Sequence, residues 1–582
     1  MSRTARRIAP LLTSLSLMAG VAFGGGMLAG CADENDPATH VKKLQDPATR
    51  PQAVQRLIQF YEDKMTADKG DRNGPNVKPL LEMIVAPMTE RCVGGDLDDR
   101  TNSKLIKFLA DTHDPRTEAC LVKTLKDYKP DNTEEDVRAA ARAVKAMKLK
   151  SAAGPLMEVF TKMKASKPKA QSAYRDVHDA MLELLDPGWE TQLITMLGPS
   201  VDPKDQAGMT DQMFWQITAA EILGHMKSAK AVKPLIKIVL NPYKASAQTT
   251  AILALVKIGK PTVEPTVAVL KGDDKELVDY SKAENMKAAA GDKGAEKAAA
   301  VAHVGAAALI LATIGREETG APLIDAIGKS EDPARSIIAR ELTKLPKSQA
   351  NIDAFKAAFE KATLTQSIPG ASGGAREVLL DASGMFFDPS LIPWMAKTVK
   401  DMKGEEADLE PIREATFQAM LKLVNNDADN QKALEELNAA KATVDGKPTT
   451  VGKGFEKEYK QAKDLLGACA ANLDCYVGKL TDPASQTEAM QFTGIKSAYM
   501  IGELGNEGVK NKLFDSLPKI TNPALRFLTV SLIDFFSPKG DAALAAKMQK
   551  MVDDAEGSKD PEKQRSVAPF KTVIYRLNAK AQ

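Results

Sequence analysis

The side chains able to carry out chemistry are few and scattered. Five histidines, His40, His113, His178, His225 and His303, stand too far apart in sequence to form a metal-binding pair. Of these, His178 has the most suggestive neighbours. It lies between Asp176 and Asp179 in YRDVHDAMLELLD, where a helix could hold a carboxylate against the imidazole, although a surface position at a helix turn is the reading preferred. His225 follows Gly224 at a helix end and reads as a cap. The chain contains no GxSxG elbow, no phosphate-binding GxxxxGK[ST], no HExxH and no EF-hand loop. PGASGG at 369–374 lacks the Lys-Ser/Thr that a phosphate cradle requires, and Glu317-Glu318 falls in a turn. No catalytic residue, metal or cofactor is therefore expected, and the chain is read as a non-enzyme.

The remaining reactive residues are cysteines. Cys92, Cys120, Cys469 and Cys475 form an even set without CxxC spacing, which argues against zinc. Cys469 and Cys475 flank one inter-helix turn, and Cys92 and Cys120 bracket a loop. Pairing 92 with 120 and 469 with 475 is favoured over free buried thiols, given an oxidising compartment.

That compartment is suggested by residues 1–30. Arg3, Arg6 and Arg7 precede an apolar run from Ile8 to Phe23, followed by small residues, the pattern of a secretory signal. The run is short and rich in glycine for a membrane span. Leu28-Ala29-Gly30-Cys31 resembles a bacterial lipobox, and the resemblance implies cleavage before Cys31 and acylation of that residue. Several acyl chains hold a protein on a membrane where one is marginal. Ala32 rather than aspartate after the cysteine implies, by the same resemblance, sorting to the outer membrane, with residues 31–50 as lipidated cysteine and tether. The periplasmic or the outward side remains open.

The rest of the chain is organised by a repeat. In ITAAEILGHMKSAKAVKPLIKIVL, residues 217–240, one apolar helix closes at Met226 and a second opens at Pro234-Leu235, eight positions later. The same frame joins Met147 to Pro155, Ile314 to Pro322 and Met385 to Pro393. Proline suits the first helical position, where its missing N–H costs nothing. Slots equivalent to Pro234 recur from Pro79 to Ala543, and eleven of twelve steps fall between 31 and 42 residues. The outlying step contains a Lys/Asp/Glu/Ala-rich stretch at 271–300, read as a charged insertion, either a solvated helical excursion or a disordered loop. Further loops are expected at 366–374, 404–411 and 445–454.

AAEILGHMKSAKAVKPLIKIV and AALILATIGREETGAPLIDAI resemble HEAT-like repeats of the short bacterial type, one branch of which is related to bilin lyases. The resemblance implies an all-α, right-handed α-solenoid of about a dozen hairpins over 51–552, with a flexible segment and a C-terminal capping helix over 553–582. It also implies protein binding. The chain as a whole resembles a bacterial HEAT-repeat lipoprotein.

Ten second-helix windows together hold 20 lysines and 10 acids, against a near-neutral mature chain. Lys162, Lys164, Lys237, Lys397, Lys400, Lys403, Lys547 and Lys550 supply much of the excess. They either line a basic concave face for an anionic partner or answer the dipoles of helix C-termini. The windows lack the arginines and stacking aromatics expected of a nucleic-acid binder. The function expected is thus a membrane-anchored interaction scaffold in the cell envelope that binds unknown envelope proteins. The alternative is a binder of an anionic glycolipid or polymer, and a lyase-like enzyme is the least favoured.

Overall fold

The computed structural model describes residues 33–582 apart from 201, 203, 364–372, 440–442, 445–446, 449–455 and 559. The expected signal, Cys31 and the start of its tether lie outside the described residues, as do most of the loops at 366–374 and 445–454. The described chain is all-α, save for a ribbon that pairs Thr443–Val444 with Lys447–Pro448. It divides into two units, residues 1–123 and 124–582.

In the first unit, helices Pro37–Lys43, Arg50–Ala67, Val77–Gly94 and Asp99–Thr112 enclose a core of Val54, Leu57, Ile84, Met88, Leu105 and Leu109. A disulfide joins Cys92 to Cys120, tying Val77–Gly94 to the helix that starts at Glu118. Arg50 donates to the Leu44 carbonyl at 2.7 Å and pairs with Asp96, which fixes the two ends of this bundle.

The second unit repeats one local device. A first helix stops at a residue in the left-handed region, such as Lys148, Lys227, Gly259 or Gly315. A three-residue 3-10 turn follows, Lys150–Ala152, Ala229–Ala231, Lys260–Thr262 or Glu317–Thr319, and the second helix begins directly after it. The recurrent proline occupies the third position of that helix, not the first as the spacing implied. Pro155, Pro234, Pro265, Pro322 and Pro393 all do so, and Pro79 does the same in the first unit. The physical reason for proline survives the correction, because the first four helical N–H groups all lack an intrahelical acceptor. A second disulfide, Cys469–Cys475, spans the turn between helices Glu456–Cys469 and Leu473–Thr481.

Small residues set the spacing between hairpins. Helix Gln206–His225 lies so close to Ala245–Ile258 that a Cβ on Gly224 would stand 2.7 Å from the Ala254 Cα. Ala219, Ala247, Ala251 and Ala254 are buried in the same region.

The stretch at 271–300 is helical, the first of the two forms expected, and not a loop, and part of it is packed. It forms helices Lys275–Ala289 and Lys293–Ala300, and the first of these packs against helices Val232–Leu240 and Ala302–Ile314. Leu277 and Ser281 are buried there. Asn285 donates to the Leu240 carbonyl at 2.9 Å, and Asn241 donates to the Tyr280 hydroxyl at 2.7 Å. Charged residues occupy the outer face, and an inner stripe of few but well-spaced contacts suffices to seat the helix.

The C-terminal residues do more than end the array. Helices Ala542–Glu556, Pro561–Ser566 and Ala568–Lys580 follow one another, and the last packs on Ala245–Ile258, Ala302–Ile314 and Pro523–Phe535 as well as on its neighbour Ala542–Glu556. It therefore bridges the end of the second unit to its middle.

Candidate functional site

Two groupings of polar side chains form where that bridge is made. The first runs along successive first helices. On Ala170–Leu184, His178 Nε2 stands 3.1 Å from Glu221 Oε2 and Nδ1 stands 3.4 Å from Asp179 Oδ1. The ring is 16% exposed, so it is not the surface residue that its polar sequence neighbours suggested. Asp176 turns away to Arg138 and Arg142, while Asp179 also pairs with Lys145 at 3.0 Å. Burial works against a charge on His178, but its hydrogen bonds to the two carboxylates prevail and lift its pKa to about 9. The bonds to His178 in turn hold Asp179 and Glu221 down at about 2. With both ring nitrogens engaged by carboxylates, the imidazolium has no free lone pair, so it is an inter-repeat tie and not a general base.

His225 closes helix Gln206–His225, as its position suggested, and accepts from Lys257 Nζ at 2.6 Å. Lys257 also lies over the Tyr575 ring at 4.4 Å, which draws the C-terminal helix into the same ladder. Burial lowers the Lys257 ammonium to about 8. Of the other histidines, His40 is buried with Nε2 3.0 Å from the Glu34 carbonyl, and His113 takes the left-handed stop of helix Asp99–Thr112.

The second grouping centres on Arg576. Its guanidinium donates to the carbonyls of Ala312 (2.6 Å), Thr313 (2.7 Å) and Lys344 (2.9 Å), and to Asp534 Oδ2 at 2.9 Å. Those carbonyls belong to the last turn of Ala302–Ile314 and to the segment just after Ala334–Leu342, so one side chain finishes two helix ends. Lys580 completes the arrangement, with Nζ 2.7 Å from Asp534 Oδ1 and 3.0 Å from the Asp534 carbonyl. Burial opposes the charge on Asp534, but Arg576 and Lys580 hold its carboxyl below the usual range. Arg316 returns the contact by donating to the Ala579 carbonyl at 2.7 Å.

Buried cations elsewhere act in the same way. Lys496, fully buried, donates to the carbonyls of Lys422 (2.8 Å) and Val424 at the end of helix Glu406–Leu423. Lys244 donates to Leu197 and Gly198 at 2.8 and 3.1 Å. Burial pushes Lys496 down to about 7 and Lys244 to about 8.

Beside Arg576 opens a cavity of about 510 Å³ whose wall is drawn from five segments of the second unit. Phe387, Leu345, Val530 and Val573 line it and are buried, while Phe527 stands at its edge, 54% exposed. Phe387 is fixed by an edge contact with Phe535 (5.0 Å) and a tilted one with Tyr499 (5.3 Å). No sequence pattern marked this cavity, since each segment gives it only a few apolar residues. In the first unit a more open cleft of about 1030 Å³ carries mixed charges, in which Lys43 is answered by Glu34 at 2.5 Å.

The lysines noted in the sequence stand in different surroundings. Lys162 pairs with Glu158 on its own helix, and Lys237 pairs with Glu276 across to Lys275–Ala289. Lys397 and Lys403 share a cleft of about 710 Å³ with Lys361, Arg376 and Trp394. Lys164, Lys400, Lys547 and Lys550 are exposed.

No family model matches the chain, and no curated protein matches it. Among solved structures the chain is similar to a crystal structure of importin beta, at 13% identity and a TM-score of 0.33 over 93% of this chain and 74% of that one. It is also similar to a structure of the Pds5–Scc1 complex (10% identity, TM-score 0.27, 90% and 88% covered) and to a circular tandem repeat protein (13%, 0.16, 92% and 98%). At such TM-scores these likenesses carry no functional argument, and the helical-repeat fold rests on the hairpins themselves.

Proposed function

We propose that this chain is a membrane-anchored helical-repeat lipoprotein of the cell envelope, held by acylated Cys31, whose repeat array binds other envelope proteins and performs no reaction. The observation that carries the reading is the recurrence of the hairpin: left-handed stop, 3-10 turn and third-position proline occur together four times between Lys148 and Pro322. Equivalent helices stacked in this way build an extended face suited to binding large partners, as in other repeat arrays. The buried ionisable residues His178, Lys496 and Asp534 are already engaged in ties and caps, which agrees with a binding role.

The test is a crosslinked pull-down of the full-length chain from its own membranes beside a Cys31→Ala form. Discrete protein partners enriched only with the acylated form are expected. Equal recovery with both forms would remove the anchor, and no enriched protein would remove the scaffold. A second reading, binding of an anionic glycolipid or polymer, is favoured only by the cleft of Lys361, Arg376, Lys397 and Lys403 around Trp394. It requires binding that falls steeply with salt.

A further inference from the structure

The cavity beside Arg576 has an apolar wall and an unbalanced charge. Phe387, Val530 and Val573 face it with buried side chains, and the exposed Phe527 stands at its edge. Its volume of about 510 Å³ lies within the range of roughly 300–1,000 Å³ typical of small-molecule sites. Two cation pairs contribute to the lining, and each pair shares one carboxylate. Arg576 and Lys580 divide Asp534 between them, at 2.9 and 2.7 Å. Arg340 and Lys344 divide Glu341, whose side chain is fully buried, at 2.8 and 2.5 Å. Among the described residues each pair therefore leaves one positive charge without a counter-ion, beside a surface that is otherwise mostly hydrocarbon.

Hydrocarbon wall and surplus positive charge complement a molecule with an apolar body and one anionic head. We propose that this cavity is a binding site for a small amphipathic anion of the fatty-carboxylate class, its chain against Phe387 and Val573 and its head at Arg340 and Lys344. Such a head has a ready partner in Arg340 and Lys344, because both are partly exposed, at 29% and 43%, whereas Arg576 and Lys580 are consumed as caps. Burial of the chain supplies the affinity, and the charge supplies the preference for an anion. This site does not depend on the scaffold reading.

The experiment titrates the full-length chain with dodecanoate and, separately, with dodecanol, by calorimetry below the aggregation concentration of either. Saturable binding of one dodecanoate is expected, with dodecanol at least about tenfold weaker. Ala382→Trp and Ser531→Trp each place an indole in the cavity from a half-buried position, and each should abolish binding while thermal unfolding stays cooperative. Lys344→Gln should weaken dodecanoate and leave dodecanol unchanged. In the unmodified chain, dodecanoate should slow amide exchange in helices Pro523–Phe535 and Ala568–Lys580. Absence of saturable binding, equal affinity for the two probes, or slowed exchange confined to other helices would each overturn the proposal.

Discussion

Arg576 donates a hydrogen bond to the backbone carbonyl of Ala312, 264 positions earlier in the chain. The same guanidinium reaches Thr313, Lys344 and Asp534, so three places distant in sequence share one side chain.

Removing that side chain leaves Asp534 charged beside Lys580 alone and three carbonyls without their donor. Arg576→Ala should cost about 3–5 kcal/mol, the usual penalty for breaking a buried ion pair from one side. Denaturant unfolding measures it, and limited proteolysis should cut first near the C-terminal helix. Gly315→Ala tests the same contact from the other partner. Gly315 has φ of +70°, and a Cβ there would stand 2.5 Å from Arg576 Nη2, so a loss of about 1–2 kcal/mol is expected from the backbone alone. A silent Arg576→Ala would mean that the C-terminal helix is held by its apolar face only.

His178 gives stability a descending slope with pH. Its pKa is 6.5 when free and about 9 in the fold, so its contribution is complete below pH 6.5 and is lost as pH rises through 9. Asp179 and Glu221, lowered to about 2, contribute fully above the ordinary carboxylate range and lose that contribution as pH falls through 2. His178→Gln should destabilise by about 1.5–3 kcal/mol near pH 6, the range for hydrogen bonds to charged groups. The deficit should shrink by pH 9.5, read by unfolding at the two pH values.

Lys496 gives the opposite slope. Protonated at 10.5 when free but at about 7 in the fold, it penalises the folded state below pH 7, and the penalty is relieved as pH rises from 7 toward 10.5. Lys496→Met should flatten this rise in an otherwise identical stability profile. An unchanged profile would show that the ammonium keeps its charge by means other than the two carbonyls it caps.

The Cys92–Cys120 disulfide closes a loop of 28 residues. Replacing both cysteines with serine should lower the stability of the first unit by about 2–4 kcal/mol. Exchange protection across Val77–Gly94 and Asp99–Thr112 should fall, while helices beyond residue 124 keep theirs.

The hairpins were legible because each is local. Met226 and Pro234 lie eight residues apart, so spacing alone exposes the turn. The position of the proline was misplaced by two because a 3-10 turn leaves no residue signature distinct from that of the helix it precedes. Helix Lys275–Ala289 was missed as a packed element because Leu277, Tyr280, Ser281 and Asn285 make a narrow inner stripe within a charged segment, and three of the four are polar. The site beside Arg576 was illegible for another reason. Its partners lie hundreds of residues apart, and Arg576 and Lys580 resemble solvent-facing residues unless they are set against Phe570, Val573, Ile574 and Leu577 on the same helix. Lys496 carried a fainter sign, as a lone lysine within the apolar run around Gly494-Ile495.

The fold also imposes an order on biosynthesis. As the chain is made from its N-terminus, the hairpins around 302–344 form long before residue 576 exists. Until then the carbonyls of Ala312, Thr313 and Lys344 lack the donor that they have in the finished fold. The middle of the second unit is therefore completed only once helix Ala568–Lys580 has been synthesised. A frameshift or truncation that removes a dozen residues from the C-terminus should do its damage in the middle of the chain, where no residue has been altered.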